Sequence, residues 1–189
     1  GLSLAGRIAA TGERARETRL PPEFRAVLTT PQLTRGDLAA LIGVRLESLI
    51  RRAPTRQVVV TDTQKHWAAQ WITETTSAGI IEPFENHTFQ PGTNVRRGDL
   101  ATVVSRLVAL IAESNPSVRE RLSQRPTIAD VPPRHLQHDA VVSAVATGVM
   151  PLVEGDRFLV GRQVSGEEAV EVIDRVRVLA TTTLGVSRQ

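Results

Sequence analysis

Three short segments of the sequence place a hydroxyl or an arginine three residues before an acid. They read TRGD at residues 34–37, RRGD at residues 96–99 and SGEE at residues 165–168. In the first and third, the hydroxyl and the acid have the spacing of a capping box at a helix N-terminus. An arginine beside exposed N–H groups at such a helix start can donate two parallel hydrogen bonds to a carboxylate or a phosphate. Arg35 and Arg97 are therefore predicted to form anion sites.

Each arginine segment is followed by an apolar stripe at three- and four-residue spacing, which predicts an amphipathic helix. The stripe residues are Leu38, Leu41, Ile42, Leu46 and Leu49 after the first segment, and Leu100, Val103, Val104, Leu107, Val108 and Ile111 after the second. Because each stripe needs a partner, we expect three such helices, one per segment, to bury their stripes together.

Composition favours helices and argues against several classes of function. Of the 189 residues, 41% are hydrophobic but only 3% are aromatic, so the core must be packed by aliphatic side chains. The absence of cysteine excludes disulfides, thiol nucleophiles and cysteine metal sites. We find no nucleophile with a base, no carboxylate pair and no phosphate loop, and therefore predict a protein that is not an enzyme, with no catalytic residue, no metal site and no cofactor.

The middle and the last part of the chain are two copies of one module. A constant offset pairs His66 with His135, Gly79 with Gly148, Ile81 with Met150, Phe89 with Phe158, Val95 with Val164 and Asp99 with Glu168. An earlier copy matches only in its second half, QLTRGDLAALIGVRL at residues 32–46. Its first half lacks the tryptophan, the Gly-Ile-Ile and the Phe-x-Pro of the other two, so we interpret it as degenerate.

Each full copy is predicted to form a helix, a loop and a second helix. In the middle copy, a helix over about residues 65–77 ends at Gly79 as a left-handed cap, and residues 80–94 form a loop with two prolines. The predicted boundaries are residues 1–56 for the degenerate first copy with an extra N-terminal helix, 57–113 for the second copy, 114–126 for a linker, 127–180 for the third copy and 181–189 for a C-terminal tail.

The order of aspartate, His-Trp, Gly-Ile-Ile, Phe-x-Pro and Val-x-Arg-x-acid resembles the S-layer homology domain, a family that usually occurs as three tandem copies. The resemblance extends over roughly residues 20–180 and is strongest in the middle copy. It implies a mainly α fold, a pseudo-threefold three-prong spindle around a central three-helix bundle. The family's Thr-Arg-Ala-Glu signature corresponds to the three segments described first.

The same resemblance implies a function and a set of ligand residues. Family members bind cell-wall polysaccharide in grooves between copies, so the chain is expected to be a non-catalytic anchoring module of the cell envelope. Its expected partner is a cell-wall glycan that carries carboxylate groups. This glycan is either a secondary polymer with ketal-linked pyruvyl groups or a peptidoglycan-linked glycan. The expected ligand residues are Arg35 and Arg97 for the carboxylate, Trp67 for a sugar face, and Asp62 and Asp130 for sugar hydroxyls.

Departures from the signature motivate an alternative function. Gly166 stands where the third copy needs its arginine, and Arg96 replaces the capping threonine of the second. The alternative is therefore a degenerate module that acts as a protein scaffold in a larger envelope assembly, with other envelope proteins as partners. A third hypothesis, a nucleic-acid binder, rests only on an excess of arginine. The net charge is just +3 and acids alternate with arginines, so we do not expect nucleic acid as a partner.

Several motifs have simpler structural interpretations. Trp67 and Trp71 lie four residues apart, a spacing more typical of a core pair than of a ligand platform. His66 and His135 recur at one position without further ligands, which favours capping over metal binding. Both RGD triplets begin a helix, which argues against an adhesion motif. The glycosylation sequon NHT at residues 86–88 has meaning only in a host that modifies it.

Localisation is predicted from the family resemblance. No apolar run approaches the roughly 20 residues that span a bilayer, and the first residues are too polar for a secretion signal. Since the sequence begins with glycine, we expect it to be a piece of a longer protein with an export signal upstream. The expected location is the cell surface or the periplasm.

Overall fold

The computed structural model describes residues 20–182, which are mainly helical. The helices are α1 (Pro22–Val27), α2 (Arg35–Arg45), α3 (Glu47–Ile50), α4 (Ala69–Ser77), α5 (Arg97–Ala112), α6 (Pro116–Leu122), α7 (His138–Ala146) and α8 (Gly166–Thr181). Within this range the extended backbone makes isolated bridges but no strand. The extra helix predicted at the N-terminus and the tail after residue 182 lie outside the described residues.

The three long helices α2, α5 and α8 begin at the predicted segments. At α2 the capping box is complete, because the Thr34 hydroxyl accepts from the Asp37 N–H (3.2 Å) and the Asp37 carboxylate accepts from the Thr34 N–H (3.0 Å). At α8 the Ser165 hydroxyl accepts from the Glu168 N–H (3.2 Å), but the reciprocal bond is absent. Every apolar stripe residue predicted for α2 and α5 is buried, which confirms the amphipathic pattern.

A closed ring of backbone hydrogen bonds joins the starts of these three helices. Leu33, Val95 and Val164 each lie one residue before a helix N-cap, and all three are buried. The N–H of Leu33 donates to Val164 O (2.8 Å), that of Val164 to Val95 O (3.1 Å), and that of Val95 to Leu33 O (2.8 Å). Each residue thus gives one bond and receives one, so the ring fixes the three helix starts at a common point with no unsatisfied group.

The helices pack across the boundaries between copies. Helix α2 packs on α4, α5 packs on α7, and α8 packs on both α2 and α5. The first N–H groups of each long helix also donate to loop carbonyls of another copy. The pairs are Arg35 with Thr93 (2.9 Å), Gly36 with Pro91 (2.9 Å), Arg97 with Arg162 (2.8 Å), Gly98 with Val160 (3.0 Å) and Gly166 with Thr30 (2.8 Å). These bonds join the start of α2 to the loop before α5, the start of α5 to the loop before α8, and the start of α8 to the segment before α2.

One local prediction in the middle copy needs correction, and two others are confirmed. The first helix of the middle copy begins at Ala69 rather than near residue 65, because residues 64–68 form turns in which His66 Nδ1 accepts from the Ala68 N–H (3.1 Å). His135 makes the equivalent bond to the Gln137 N–H (3.1 Å), so the capping interpretation of both histidines is confirmed. The predicted left-handed cap is also present, with a φ of 71° at Gly79.

The segment predicted as a linker contains a helix. Within residues 114–126, α6 packs on α5 and α7. The Asn115 side chain caps this helix by accepting from the N–H groups of Ser117 (3.1 Å) and Val118 (3.3 Å), and Pro116 occupies its first turn. Copies two and three are therefore joined by packed structure.

Candidate functional site

Arg35, the first residue of α2, projects into the loop of the second copy. Its guanidinium carbon lies 4.7 Å from the ring centroids of both Phe84 and Phe89. Its Nε donates to Phe89 O (2.8 Å) and its Nη2 donates to Glu82 O (2.8 Å). Two aromatic rings and two carbonyls thus hold the guanidinium in one orientation at the junction of copies one and two.

One edge of this guanidinium is open. Among the described residues, Nη1 of Arg35 has no hydrogen-bond partner and the side chain makes no ion pair. Nη1 is nevertheless not buried. It therefore faces solvent. Burial lowers the pKa of Arg35, while the carboxylates of Asp99 and Asp62 raise it and the charge of Arg106 lowers it, leaving the pKa below its ordinary value. The site is a partly desolvated cation without an anion in contact.

The free helix N–H groups predicted beside Arg35 are not free. The N–H groups of Arg35 and Gly36 donate to the loop carbonyls of the second copy, and the Asp37 N–H donates to Thr34 Oγ1. The prediction that the helix end adds to the anion site was therefore wrong. Any anion at this junction is held by the guanidinium.

Asp62 and Asp130 hold the loops that carry the aromatic rings. The two carboxylate oxygens of Asp62 accept from the N–H groups of Phe89 (2.7 Å) and Gln90 (2.8 Å). Burial raises the pKa of Asp62, but these bonds outweigh it and keep the pKa below its ordinary value. Gln90 has a φ of 54°, a left-handed conformation that costs free energy in a residue with a side chain, and the Asp62 bonds stabilise it.

The third copy repeats this arrangement. Asp130 accepts from the N–H groups of Phe158 (2.7 Å) and Leu159 (2.8 Å), and Leu159 has a φ of 59°. Burial again raises the pKa of Asp130, and again the two backbone bonds leave it below the ordinary value. Both predicted aspartates thus fix the conformation of their loops by accepting backbone hydrogen bonds.

Arg97 occupies the equivalent position at the junction of copies two and three, but its guanidinium is closed in. Only 2% of the residue is exposed, and its guanidinium carbon lies 4.5 Å from the Phe158 ring centroid. Nε donates to Phe158 O (2.8 Å), Nη2 donates to Pro151 O (2.9 Å), and Nη1 forms an ion pair with Glu168. Burial lowers the pKa of Arg97, and the Glu168 carboxylate opposes that shift. Every nitrogen of this side chain has a partner.

The third junction has no cation at this position. Gly166 occupies the arginine position, and a Cβ built there would lie 1.8 Å from Val27 O. The backbone of the first copy therefore fills the space that an arginine side chain needs. The glycine that looked like a loss of function in the sequence is required by the close approach of copies three and one.

Trp67 lies in the turn before α4, half-buried against His66 (centroids 5.8 Å apart) and Trp71 (5.9 Å). It takes part in none of the contacts of Arg35 given above. The exposed aromatic residue at the Arg35 junction is Phe84, with 41% of its surface accessible. Phe84 was not among the ligand residues expected from the sequence. The one sequence feature that distinguishes Phe84 is that the equivalent residue of the third copy is Val153, which is not aromatic.

Residues 20–182 contain no cluster of side chains suited to a metal ion, and none of the helices described there is long and apolar enough to cross a membrane. The family model of the S-layer homology domain matches residues 61–101, which confirms the resemblance over that stretch. The matched stretch contains Asp62, Phe84, Phe89 and Arg97. S-layer homology domains are non-catalytic modules that anchor proteins to the cell wall. No curated protein matches the chain.

Proposed function

We propose that this chain is a cell-envelope anchoring module that binds a carboxylate-bearing cell-wall glycan at the junction of its first and second copies. The observation that carries this proposal is the open Nη1 edge of Arg35, a cation held rigidly by two carbonyls with no anion in contact. The match of residues 61–101 to an anchoring family supports it, because that stretch supplies the loop that holds the Arg35 guanidinium.

The chemistry of the site suits a carboxylate on a sugar. A hydrogen bond between charged partners contributes about 1.5–3 kcal/mol, and partial burial weakens the competition from water. A pyruvyl ketal fits because its carboxylate is fixed to the sugar ring, so contact with Arg35 brings the ring beside Phe84. Its exposed aromatic face, next to the guanidinium, offers the apolar surface that a sugar ring needs.

The other predicted ligand residues have different parts in this proposal. Asp62 and Asp130 support their loops, and Arg97 joins copies two and three. Trp67 keeps a partly exposed face and is proposed to contact the polymer beyond the ketal sugar. Arg35 is the residue that we propose meets the carboxylate.

The proposed architecture is three copies, at residues 1–56, 57–113 and 127–180, arranged as a three-prong spindle. The ring formed by Leu33, Val95 and Val164 supports it, since each copy contributes one member. The proposed location is the cell surface or the periplasm.

The test is sedimentation of the purified chain with purified sacculi of the producing bacterium, before and after mild acid that hydrolyses pyruvyl ketals. We expect acid treatment to abolish sedimentation and Arg35→Ala to reduce it at least about tenfold, the loss expected for one strong charged contact. Arg96→Ala is the matched control, because this exposed arginine lies at the equivalent of residue 34 in the second copy. Sedimentation of folded Arg35→Ala at the wild-type level would overturn the proposal.

The alternative, a scaffold for envelope proteins, is favoured by one observation. Two of the three junctions have no open arginine, since Arg97 is paired and Gly166 has no side chain. In that case the chain should capture a defined protein from envelope extract after glycan digestion, and Arg35→Ala should not affect the capture. The open Arg35 makes us prefer glycan binding.

A further inference from the structure

We infer that the acid in the first turn of the following copy's long helix decides whether a junction is open to a ligand. Glu168 acts as a resident carboxylate that occupies the Arg97 site, and Asp99, one methylene shorter, leaves the Arg35 site open. This inference rests on the proposed function and adds that the chain binds one carboxylate, at Arg35.

The two acids are equivalent in the repeat. Each is the third residue of a long helix, and each belongs to the copy that follows its arginine: Asp99 follows Arg35, and Glu168 follows Arg97. The guanidinium groups are also held alike, by a backbone carbonyl on Nε, a second carbonyl on Nη2 and a phenylalanine ring. The surroundings of the two arginines differ in three respects: the acid, the open or closed Nη1 edge, and the second ring, since Phe84 lies at Arg35 and its counterpart in the third copy is Val153.

The length of the acid determines what it binds. Asp99 turns back on its own helix, where one oxygen accepts from the Arg96 N–H (3.0 Å) and the other accepts from Gln137 Nε2 (3.3 Å). It lies near enough to Arg35 to raise the pKa of that group but makes no ion pair with it.

Glu168 bonds away from its own helix. It makes no bond back to the Ser165 N–H and reaches outward, where its Oε1 pairs with Nη1 of Arg97 and with Nη2 of Arg162 (2.7 Å). The extra methylene converts a helix cap into an ion pair between copies.

A ligand cannot compete easily with a resident carboxylate. Glu168 is fixed beside Arg97 by its own helix, so its ion pair forms without loss of translational freedom, whereas a dissolved glycan must pay that entropy. Arg97 is also 2% exposed, so a ligand would first have to displace Glu168 and then enter a closed site. Among residues 20–182, no carboxylate pairs with Nη1 of Arg35.

Exchange of the two acids tests the inference. The probe is the methyl glycoside of a pyruvyl-ketal hexosamine, followed by NMR of the arginine Nε–H groups and by calorimetry. In the wild type we expect the Arg35 signal to shift on saturation, the Arg97 signal to stay, and one probe to bind per chain. Asp99→Glu should weaken binding at least about tenfold, because the longer acid reaches Arg35. Glu168→Asp should make the Arg97 signal respond and add a second site.

The outcomes separate this inference from the proposed function. A wild-type response at Arg97, or wild-type affinity in Asp99→Glu, overturns the inference and leaves glycan binding intact. Absence of any arginine response to the probe overturns both. If Glu168→Asp fails to fold, Asp99→Glu still decides the matter, because Asp99 is exposed and its replacement adds only a methylene.

Discussion

Replacement of Arg97 by alanine is expected to destabilise the fold far more than replacement of the arginine beside it. The Arg97 side chain joins copies two and three through the carbonyls of Phe158 and Pro151 and through Glu168. Its removal leaves two carbonyls without their donor and a carboxylate with one partner fewer. Arg96, in contrast, is exposed, and its side chain has no described partner.

The magnitude follows from the partners that remain. Removal of one member of a buried ion pair costs about 3–5 kcal/mol, because the other charge stays buried. Glu168 keeps Arg162 as a half-exposed partner at 2.7 Å, so we expect the lower end, about 3 kcal/mol. For a chain of this size, about 1 kcal/mol lowers Tm by about 2–4 °C, so the expected decrease is about 6–12 °C.

Thermal and urea unfolding followed by circular dichroism measure this difference. Arg96→Ala is the control and should change the free energy of unfolding by less than about 0.5 kcal/mol. Arg35→Ala should fall between the two, because Arg35 is half-buried and lacks an ion pair among the described residues. If Arg97→Ala melts within about 2 °C of Arg96→Ala, the closed ion pair does not stabilise the junction and our reasoning about Arg97 is wrong.

Two further predictions concern the third junction and the loop aspartates. Gly166→Ala should lower the free energy of unfolding by about 1–3 kcal/mol or more because its Cβ meets Val27 O, whereas Gly161→Ala, with open space around it, should have little effect in the same urea titration. The pKa values of Asp62 and Asp130 are lowered in the fold, so their stabilisation is complete above the unfolded value of about 3.9 and is lost as the pH falls through the folded values. The difference in unfolding free energy between the wild type and the double variant Asp62→Asn, Asp130→Asn should therefore shrink between about pH 5 and pH 2; a difference that does not vary with pH would contradict this assignment.

Features set by neighbouring residues were predictable from the sequence. The starts of α2, α5 and α8, the apolar stripes and the cap at Gly79 depend on residues within a turn or two of one another, and all are present. Helix α6 also had local signals, since Asn115 followed by Pro116 is a typical helix start, but the segment was interpreted only as a connection.

The difference between the two arginines was not predictable in this way. Arg35 and Arg97 have the same local sequence, and each lies at the start of a helix followed by glycine and aspartate. The two sites differ in the acid beside the arginine, Asp99 or Glu168, and this acid belongs to the following copy. Which acid lies beside which arginine is known only from the contacts between copies. The role of Phe84 was hidden for the same reason, because the guanidinium beneath its ring comes from the preceding copy.

The backbone frame that joins the three helix starts is separate from the residues at the arginine position. The helix starts are joined by backbone bonds among Leu33, Val95 and Val164, which make no demand on the residue two positions further along the chain. That later position is then free to serve an open site at Arg35, an ion pair at Arg97 and a close backbone contact at Gly166. At the first two junctions the acid opposite the arginine differs by one methylene, so the swap of Asp99 and Glu168 should move the open site from Arg35 to Arg97 within an unchanged frame.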